Sequence, residues 1–188
     1  MLARLHRRAW RWYAYWRLYP LWAVLRRAIP EIVLPPDPTM RRSIRYRLYR
    51  RVIEIRDAQL ALRPYAEPER VARAAAAARS CGMAEEAVAT VVEAAAVVTS
   101  VRSRFRGCPA CAEALPAGYP GAAPCSEPCA DVGAEAARLI PVSRAIRRSR
   151  IVRQAAGRPP RFAPLPRMTR RAAGGLTGHI SRLPGRSG

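Results

Sequence analysis

Residues 41–65, RRSIRYRLYRRVIEIRDAQLALRPY, decide the fold expected for this chain. Aliphatic residues recur in it at intervals of four, four and three, at Ile44, Leu48, Val52 and Ile55. This is the spacing of one face of an α-helix, and the face is predicted to be broadened by Tyr49, Ile53 and Leu60. A helix with such an apolar face must pack against a partner, so this stretch is predicted to be the central helix of a bundle.

Both ends of the central helix are marked in the sequence. Thr39 can cap its start by accepting from free first-turn amides, and Pro64 ends it by disfavouring helical geometry at the preceding residue. The helix is therefore expected to run from 39 to 63. Glu54 follows Arg50 by four residues, so these two side chains are predicted to form an ion pair on the helix surface.

Further helices are predicted on both sides of this one. Pro68 suits the first turn of a helix over 68–81, and Gly82 stops it before a second helix over 84–105. Joined by so short a turn, the two should pack antiparallel. A returning helix begins near 132, and Pro141 is expected to kink or divide it.

These elements predict an all-α protein, a small irregular helical bundle with a Pro/Cys-rich loop and a disordered C-terminal tail. We expect a basic aromatic segment at 1–29, divided by Pro20, and a helical domain at 30–153 that includes a Cys-rich insertion at 107–131. Residues 154–188 are expected to form the disordered tail.

The charge of the chain limits its partners. Among its 188 residues, 34 are basic and 13 acidic, every basic residue is arginine, and the net charge is +21. Such a chain attracts the phosphates of nucleic acid or of anionic lipid, and the sign of the charge does not choose between them. No uncharged apolar run of about 18 residues exists and no secretory signal is present, so a cytoplasmic location is expected.

The first 29 residues crowd aromatic side chains among arginines. The residues predicted to contact a membrane or phosphates are Arg7, Arg8, Trp10, Arg11, Trp12, Trp16 and Arg17. Tryptophan suits the lipid headgroup boundary, with arginine reaching the phosphates. The same aromatics could instead cover the small core or stack on bases, and the sequence leaves these alternatives open.

One pattern carries the residues of a metal site. Cys108-x-x-Cys111 is followed by Cys125-x-x-x-Cys129, and four thiolates at this spacing could bind zinc in a tetrahedral site. Free thiols, a disulfide or a redox dithiol are the alternatives. No other cofactor is expected.

Catalysis finds little support in the sequence. His6 lies in the basic N-terminal segment and His179 in the expected tail, so neither stands against a plausible nucleophile. No enzymatic activity is predicted. Nucleic-acid binding is the alternative function, and it would be nonspecific, because the helix over 84–105 is acidic and aliphatic and lacks the side chains that read a groove.

Three segments carry a family resemblance: LYPLWAVLRRAIPEIVL at 18–34, YRLYRRVIEIRDAQLALRPY at 46–65 and LIPVSRAIRRSRIVR at 139–153. As an ordered set they resemble the C-terminal domain of an actinobacterial transporter family, catalogued as domain of unknown function 6545. The resemblance covers about residues 10–153.

In that family the domain follows a multi-helix membrane region, so the resemblance implies that residues 1–29 are a juxtamembrane passage. This chain is expected to depart from the family by lacking the membrane region, unless it is a fragment of a longer membrane protein, and it also departs by its cysteine-bearing insertion and by Pro141. Transport itself is therefore not expected of it. The prediction is a membrane-proximal interaction or regulatory domain, peripheral to the inner face of the plasma membrane, which contacts an anionic membrane surface and a protein partner of unknown identity.

Overall fold

The computed structural model describes residues 2–33, 39–40, 43–109 and 132–157. These form six α-helices and two short 3₁₀ turns, with no strand in the described ranges, which confirms the all-α prediction. The helices are α1 (Leu2–Ala28), α2 (Ile44–Leu62), α3 (Pro68–Ser80), α4 (Glu85–Phe105), α5 (Val132–Arg148) and α6 (Arg150–Ala156). The turns lie at Pro30–Ile32 and Arg63–Tyr65. Most of the predicted tail and most of the predicted insertion lie outside the described residues, but residues 154–156, which were assigned to the tail, belong to α6.

Helix α2 confirms the predicted buried face and corrects its ends. Its aliphatic stripe is buried, and the members of the stripe are Ile44, Leu48, Val52 and Ile55. The helix begins after Ser43, whose hydroxyl accepts from the amide of Tyr46 at 3.4 Å, so Thr39 is not its cap. Leu60 is 58% exposed, because the buried stripe continues through Ala58 and Leu62 instead.

Helix α1 is continuous through Pro20, so the prediction that this residue divides the segment is wrong. Leu18 and Leu21 on either side of the proline are fully buried, and α1 packs along α2 and α5. Their burial stabilises the helix on both sides of the bond that proline cannot make. The second half of α1, from Ala14 onward, therefore contributes to the same core as the other helices.

Helices α3 and α4 pack on each other as predicted. The turn between them needs a residue of positive φ, and Gly82 supplies it at φ +70°. The amide of Gly82 donates to the carbonyl of Arg79 at 2.9 Å, and that of Met83 donates to Ala78 at 3.3 Å. These bonds satisfy carbonyls at the end of α3 and turn the chain back onto its alanine face.

Helix α5 also contains a proline without being divided. Pro141 lies inside the helix, and the neighbouring Leu139 and Val142 are fully buried against α1 and α4. Pro141 therefore does not divide this helix, for the same reason as in α1, and the alternative of a kink stays a prediction. After Ser149, whose hydroxyl accepts from the amide of Val152 at 3.3 Å, the short helix α6 packs against α3 and α4.

A buried polar network joins three of these helices. Glu93 of α4 is 3% exposed, and its carboxylate accepts from Gln59 of α2 at 3.0 Å and from both terminal nitrogens of Arg138 of α5, at 2.5 and 3.2 Å. Arg138 also binds Glu135 at 3.0 Å, and Arg56 of α2 reaches that same carboxylate at 3.0 Å. Desolvation opposes the charged form of Arg138, but its bonds to Glu135 and Glu93 outweigh it and raise the pKa of Arg138.

Candidate anion-binding cleft

Aromatic side chains form a ladder along α1. They lie at Trp12, Tyr15, Trp16, Tyr19 and Trp22, three residues apart except for the adjacent Tyr15 and Trp16, and each ring centre lies 5.7–6.4 Å from the next. This spacing aligns them on neighbouring positions of the helix surface. Four members of the ladder present ring faces to arginines of α2, whereas Trp16 is exposed; the four are Trp12, Tyr15, Tyr19 and Trp22.

Arg51 of α2 lies inside this ladder and is 6% exposed. Its guanidinium carbon lies 3.6 Å from the ring centre of Tyr15 and 4.8 Å from that of Trp22, and Nη1 donates to the carbonyl of Tyr15 at 2.7 Å. Burial lowers the pKa of Arg51, while the nearby Tyr15 and Glu54 act in the opposite sense. Cation–π contacts and the carbonyl thus hold a buried charge between α1 and α2.

The predicted ion pair between Arg50 and Glu54 is present at 3.0 Å. Glu54 is 5% exposed, and it also accepts from the indole nitrogen of Trp22 at 2.6 Å. The ion pair joins two residues of α2, as predicted. It is largely buried where α2 packs on α1, whereas the sequence predicted it on the helix surface. Trp22 serves the core and this carboxylate, which favours the core-covering alternative for this tryptophan.

Next to the ladder, α1 and the start of α2 enclose an open cleft of about 610 Å³. The residues that line it are Arg4, Arg7, Arg8, Arg11, Trp12, Ser43, Ile44 and Arg45. Ion pairs of the described chain use other arginines, and none of these five has a carboxylate partner among the described residues. Their charges repel one another, and the start of α2 adds the positive end of a helix dipole. An anion entering the cleft would relieve this repulsion.

The other side of α1 carries an exposed apolar stripe. Its members are spaced three, four, four and three residues apart, at Leu2, Leu5, Ala9, Tyr13 and Trp16. The largest exposed fractions are 83% for Leu2 and 59% for Leu5, and Tyr13 and Trp16 are each 52% exposed. Trp16 and the fully buried Leu18 are two residues apart, so the stripe faces away from the core. A side of α1 that could contact an apolar partner thus remains open.

The N-terminal end of α1 forms an exposed tip. Residues 2 and 4–9 are all exposed, which corresponds to about two helical turns and ~12 Å of helix. Arginine and leucine side chains both project from it. A surface that meets the tip end-on reaches the basic and the apolar sides together.

The seven residues predicted to contact phosphates do not form one surface. Arg7, Arg8, Arg11 and Trp12 line the cleft, whereas Trp16 lies on the exposed stripe. Trp10 is half-buried against the core, and Arg17 is half-buried with its guanidinium carbon 5.6 Å from the ring centre of Tyr13.

Sequence reasoning missed four members of the cleft, which are Arg4, Ser43, Ile44 and Arg45, and it assigned Ile44 only to the apolar face of α2. Arg4 was passed over among many basic residues of the N-terminal segment. Ser43 and Arg45 join the cleft only through the packing of α2 on α1, which no local pattern indicates.

The predicted zinc site cannot be placed. Cys108 is an exposed free thiol, and Cys111, Cys125 and Cys129 lie outside the described residues. Within the described ranges no three metal-ligating side chains come together. The zinc site stays a prediction.

Comparison with known families adds one result. A model of a family of unknown function, DUF6545, matches residues 6–149, which cover most of the chain and every helix but α6. The chain belongs to the DUF6545 family. This confirms the resemblance predicted from the three sequence segments. No curated protein and no solved structure matches the chain. Among the described helices of this DUF6545 member, none has the length and apolar character needed to cross a bilayer.

Proposed function

We propose that this DUF6545 domain is a membrane-proximal interaction module that binds an anionic lipid surface through the tip of α1 and the adjoining cleft. The observation that carries the proposal is the set of five cleft arginines without a carboxylate partner among the described residues, beside exposed leucine and aromatic side chains on the same helix end. The proposed location is the inner face of the plasma membrane, where anionic lipids are concentrated.

Physical chemistry favours lipid at this place for two reasons. Arginine pairs bidentately with phosphate, and each basic residue near an anionic membrane contributes about 1 kcal/mol to binding. Leu2, Leu5 and Trp16 offer apolar and aromatic surface that suits the headgroup boundary, which duplex nucleic acid does not provide. The body of the domain is then free to meet a protein partner. No catalytic step and no cofactor form part of this proposal.

Vesicle co-sedimentation tests the proposal. The full chain is mixed with anionic and with neutral vesicles, and compared with the triple variant R7Q/R8Q/R11Q, whose arginines make no ion pair in the described structure. The triple variant should lose about 3 kcal/mol of binding free energy, which corresponds to a roughly 100-fold weaker affinity for anionic vesicles. The matched control is R144Q/R147Q/R148Q, which removes the same charge from exposed positions of α5.

The proposal is supported if the control binds anionic vesicles within a few-fold of the natural chain. Equal losses in both triple variants would instead mean that binding follows net charge alone. Duplex DNA serves as competitor, and displacement of the chain from vesicles by DNA at equal phosphate concentration would favour the nonspecific nucleic-acid alternative.

A further inference from the structure

The cleft between the exposed end of α1 and the start of α2 gathers five guanidiniums from two helices. Four of them belong to α1, at Arg4, Arg7, Arg8 and Arg11, and the fifth is Arg45 of α2. The four on α1 are spaced by three or four residues, which places them side by side on one face of the helix. They extend over about 10 Å of the helix axis. The positive charge is therefore spread along the cleft, with Arg45 facing it from the second helix.

The charge of these five groups is not balanced within the protein. Every ion pair in the part of the chain that the structure describes uses other arginines. A headgroup with a single phosphodiester brings one negative charge, so four of the five positive charges would still repel one another. A second phosphate on the same molecule would relieve more of this repulsion. The charge of the cleft thus favours a ligand with more than one phosphate.

The cleft has room for such a headgroup beside these donors. Its volume of about 610 Å³ lies within the roughly 300–1,000 Å³ of small-molecule sites. Four of the arginines are exposed and Arg11 is half-buried, so all five can be reached from the cleft. The half-buried Trp12 and the buried Ile44 also line it. The carbon atoms of a headgroup can lie against these two side chains while its phosphates meet the arginines.

We propose that the cleft selects a lipid headgroup with two phosphodiester groups, of the diphosphatidylglycerol type, over headgroups with one phosphate. One phosphate is held by arginines of α1, and the other lies between α1 and Arg45. Guanidinium groups bind phosphate oxygens in pairs of hydrogen bonds. The two phosphates are linked through one glycerol, so binding of the first holds the second close to its own donors. This inference rests on the proposed function and names the lipid that the same surface would prefer.

Co-sedimentation with three kinds of anionic vesicle tests the selectivity. The full chain is mixed with phosphatidylcholine vesicles that contain diphosphatidylglycerol, phosphatidylglycerol or phosphatidate at equal surface charge. Phosphatidate concentrates its charge on a single phosphate, so it separates the charge of a headgroup from the presence of two phosphates. Binding to diphosphatidylglycerol should be ~10-fold tighter than to either other lipid, because single-phosphate lipids must be gathered at the cleft as separate molecules.

Arg45→Gln removes the donor that α2 contributes. The preference of this variant for diphosphatidylglycerol should fall below about 3-fold, because the second phosphate loses its partner on α2. Its binding to phosphatidylglycerol should stay within a few-fold of the natural chain, since the arginines of α1 remain. Arg147→Gln removes the same charge from an exposed position of α5 and should keep the full preference. Both positions are exposed, so both variants should keep the Tm of the natural chain.

Equal affinity for the three anionic vesicles would overturn this inference and leave the proposed membrane surface standing, whereas no binding to any of them would overturn both. An undiminished preference in Arg45→Gln, or an equal loss in Arg147→Gln, would also contradict the two-phosphate site. Soluble glycerol 1,3-bisphosphate at the same phosphate concentration should not release the chain, because the exposed Leu2 and Leu5 also meet the bilayer. Complete release would assign the cleft to a soluble bisphosphate and overturn the choice of a lipid.

Discussion

Replacing Arg138 with methionine is expected to lower the free energy of unfolding, because Arg138 compensates the charge of the buried Glu93 carboxylate. Three hydrogen bonds reach that carboxylate from side chains of α2 and α5, and two of them come from Arg138. Arg138→Met would leave Glu93, which is 3% exposed, with a single neutral donor, Gln59. The charge would then be buried with too little compensation.

The size of the expected loss in the free energy of unfolding follows from how far the side chains of Arg138 and Glu93 are exposed. Removing one member of a fully buried pair costs about 3–5 kcal/mol. The side chain of Arg138 is 41% exposed, so water can partly replace it, and we expect a loss of about 2–3 kcal/mol in the free energy of unfolding. For a chain of this size that lowers the Tm by roughly 4–12 °C.

Urea denaturation followed by circular dichroism measures this loss, and Glu93→Met provides the comparison. That variant removes the buried charge, and Arg138 keeps its bond to Glu135, so its loss should be below about 1 kcal/mol. The double variant should be more stable than Arg138→Met alone. Arg144→Met, exposed on the same helix, is the control. Stability of Arg138→Met within about 0.5 kcal/mol of the natural chain, or strictly additive losses in the double variant, would refute the reasoning.

Three other substitutions have expected outcomes in the same unfolding assay. Ile55→Ala, at a fully buried position of α2, should cost about 2–5 kcal/mol, whereas Leu60→Ala on the same helix should cost less than ~0.5 kcal/mol. Gly82→Ala should cost about 1–2 kcal/mol because φ is +70° there, and an unchanged urea midpoint would contradict the role given to this turn. Trp22→Phe removes the indole donor to the buried Glu54 and should cost about 1–3 kcal/mol, and no loss would mean that water replaces the donor.

The fold was predictable where large aliphatic residues recur at helical spacing. Ile44 to Ile55 fixed one side of α2 correctly, but the prediction then followed side-chain size and chose Tyr49 and Leu60, which are exposed. The real stripe continues through Ala58 and Leu62. Alanine carries a weak signal in a sequence as rich in it as this one, so its burial shows only when the partner helices are in place.

The two internal prolines show a local rule overridden by packing. A proline inside a helix costs about 3 kcal/mol of stability, and no local sequence pattern indicates a contribution that offsets this cost. Around Pro20 the fully buried Leu18 and Leu21 each contribute about 1.5–3 kcal/mol of apolar burial. A continuous helix is needed to bury both. The same balance holds at Pro141.

The candidate sites were less predictable than the helices. Composition identified a basic N-terminal segment, and Arg7, Arg8 and Arg11 lie in the cleft, but no local signal selects Arg45 or Arg51 from 34 basic residues. Their surroundings come from other helices, as in the bond of Arg51 to Tyr15 across 36 residues. Such pairings depend on the tertiary fold, which spacing within one helix does not contain.

Helix α5 packs between α1 and α4, so the core cannot be completed during translation before α5 has been synthesised. The hydroxyl of Ser143 donates to the carbonyl of Arg17, 126 residues earlier, and Arg138 completes the shell of Glu93. Until α5 has left the ribosome, the apolar surfaces of α1 and α4 that it covers are expected to stay in contact with water. The carboxylate of Glu93 then has Gln59 as a donor but lacks Arg138. Nascent chains at this stage are the kind that molecular chaperones bind, and a stop codon placed before residue 132 should give an aggregating product.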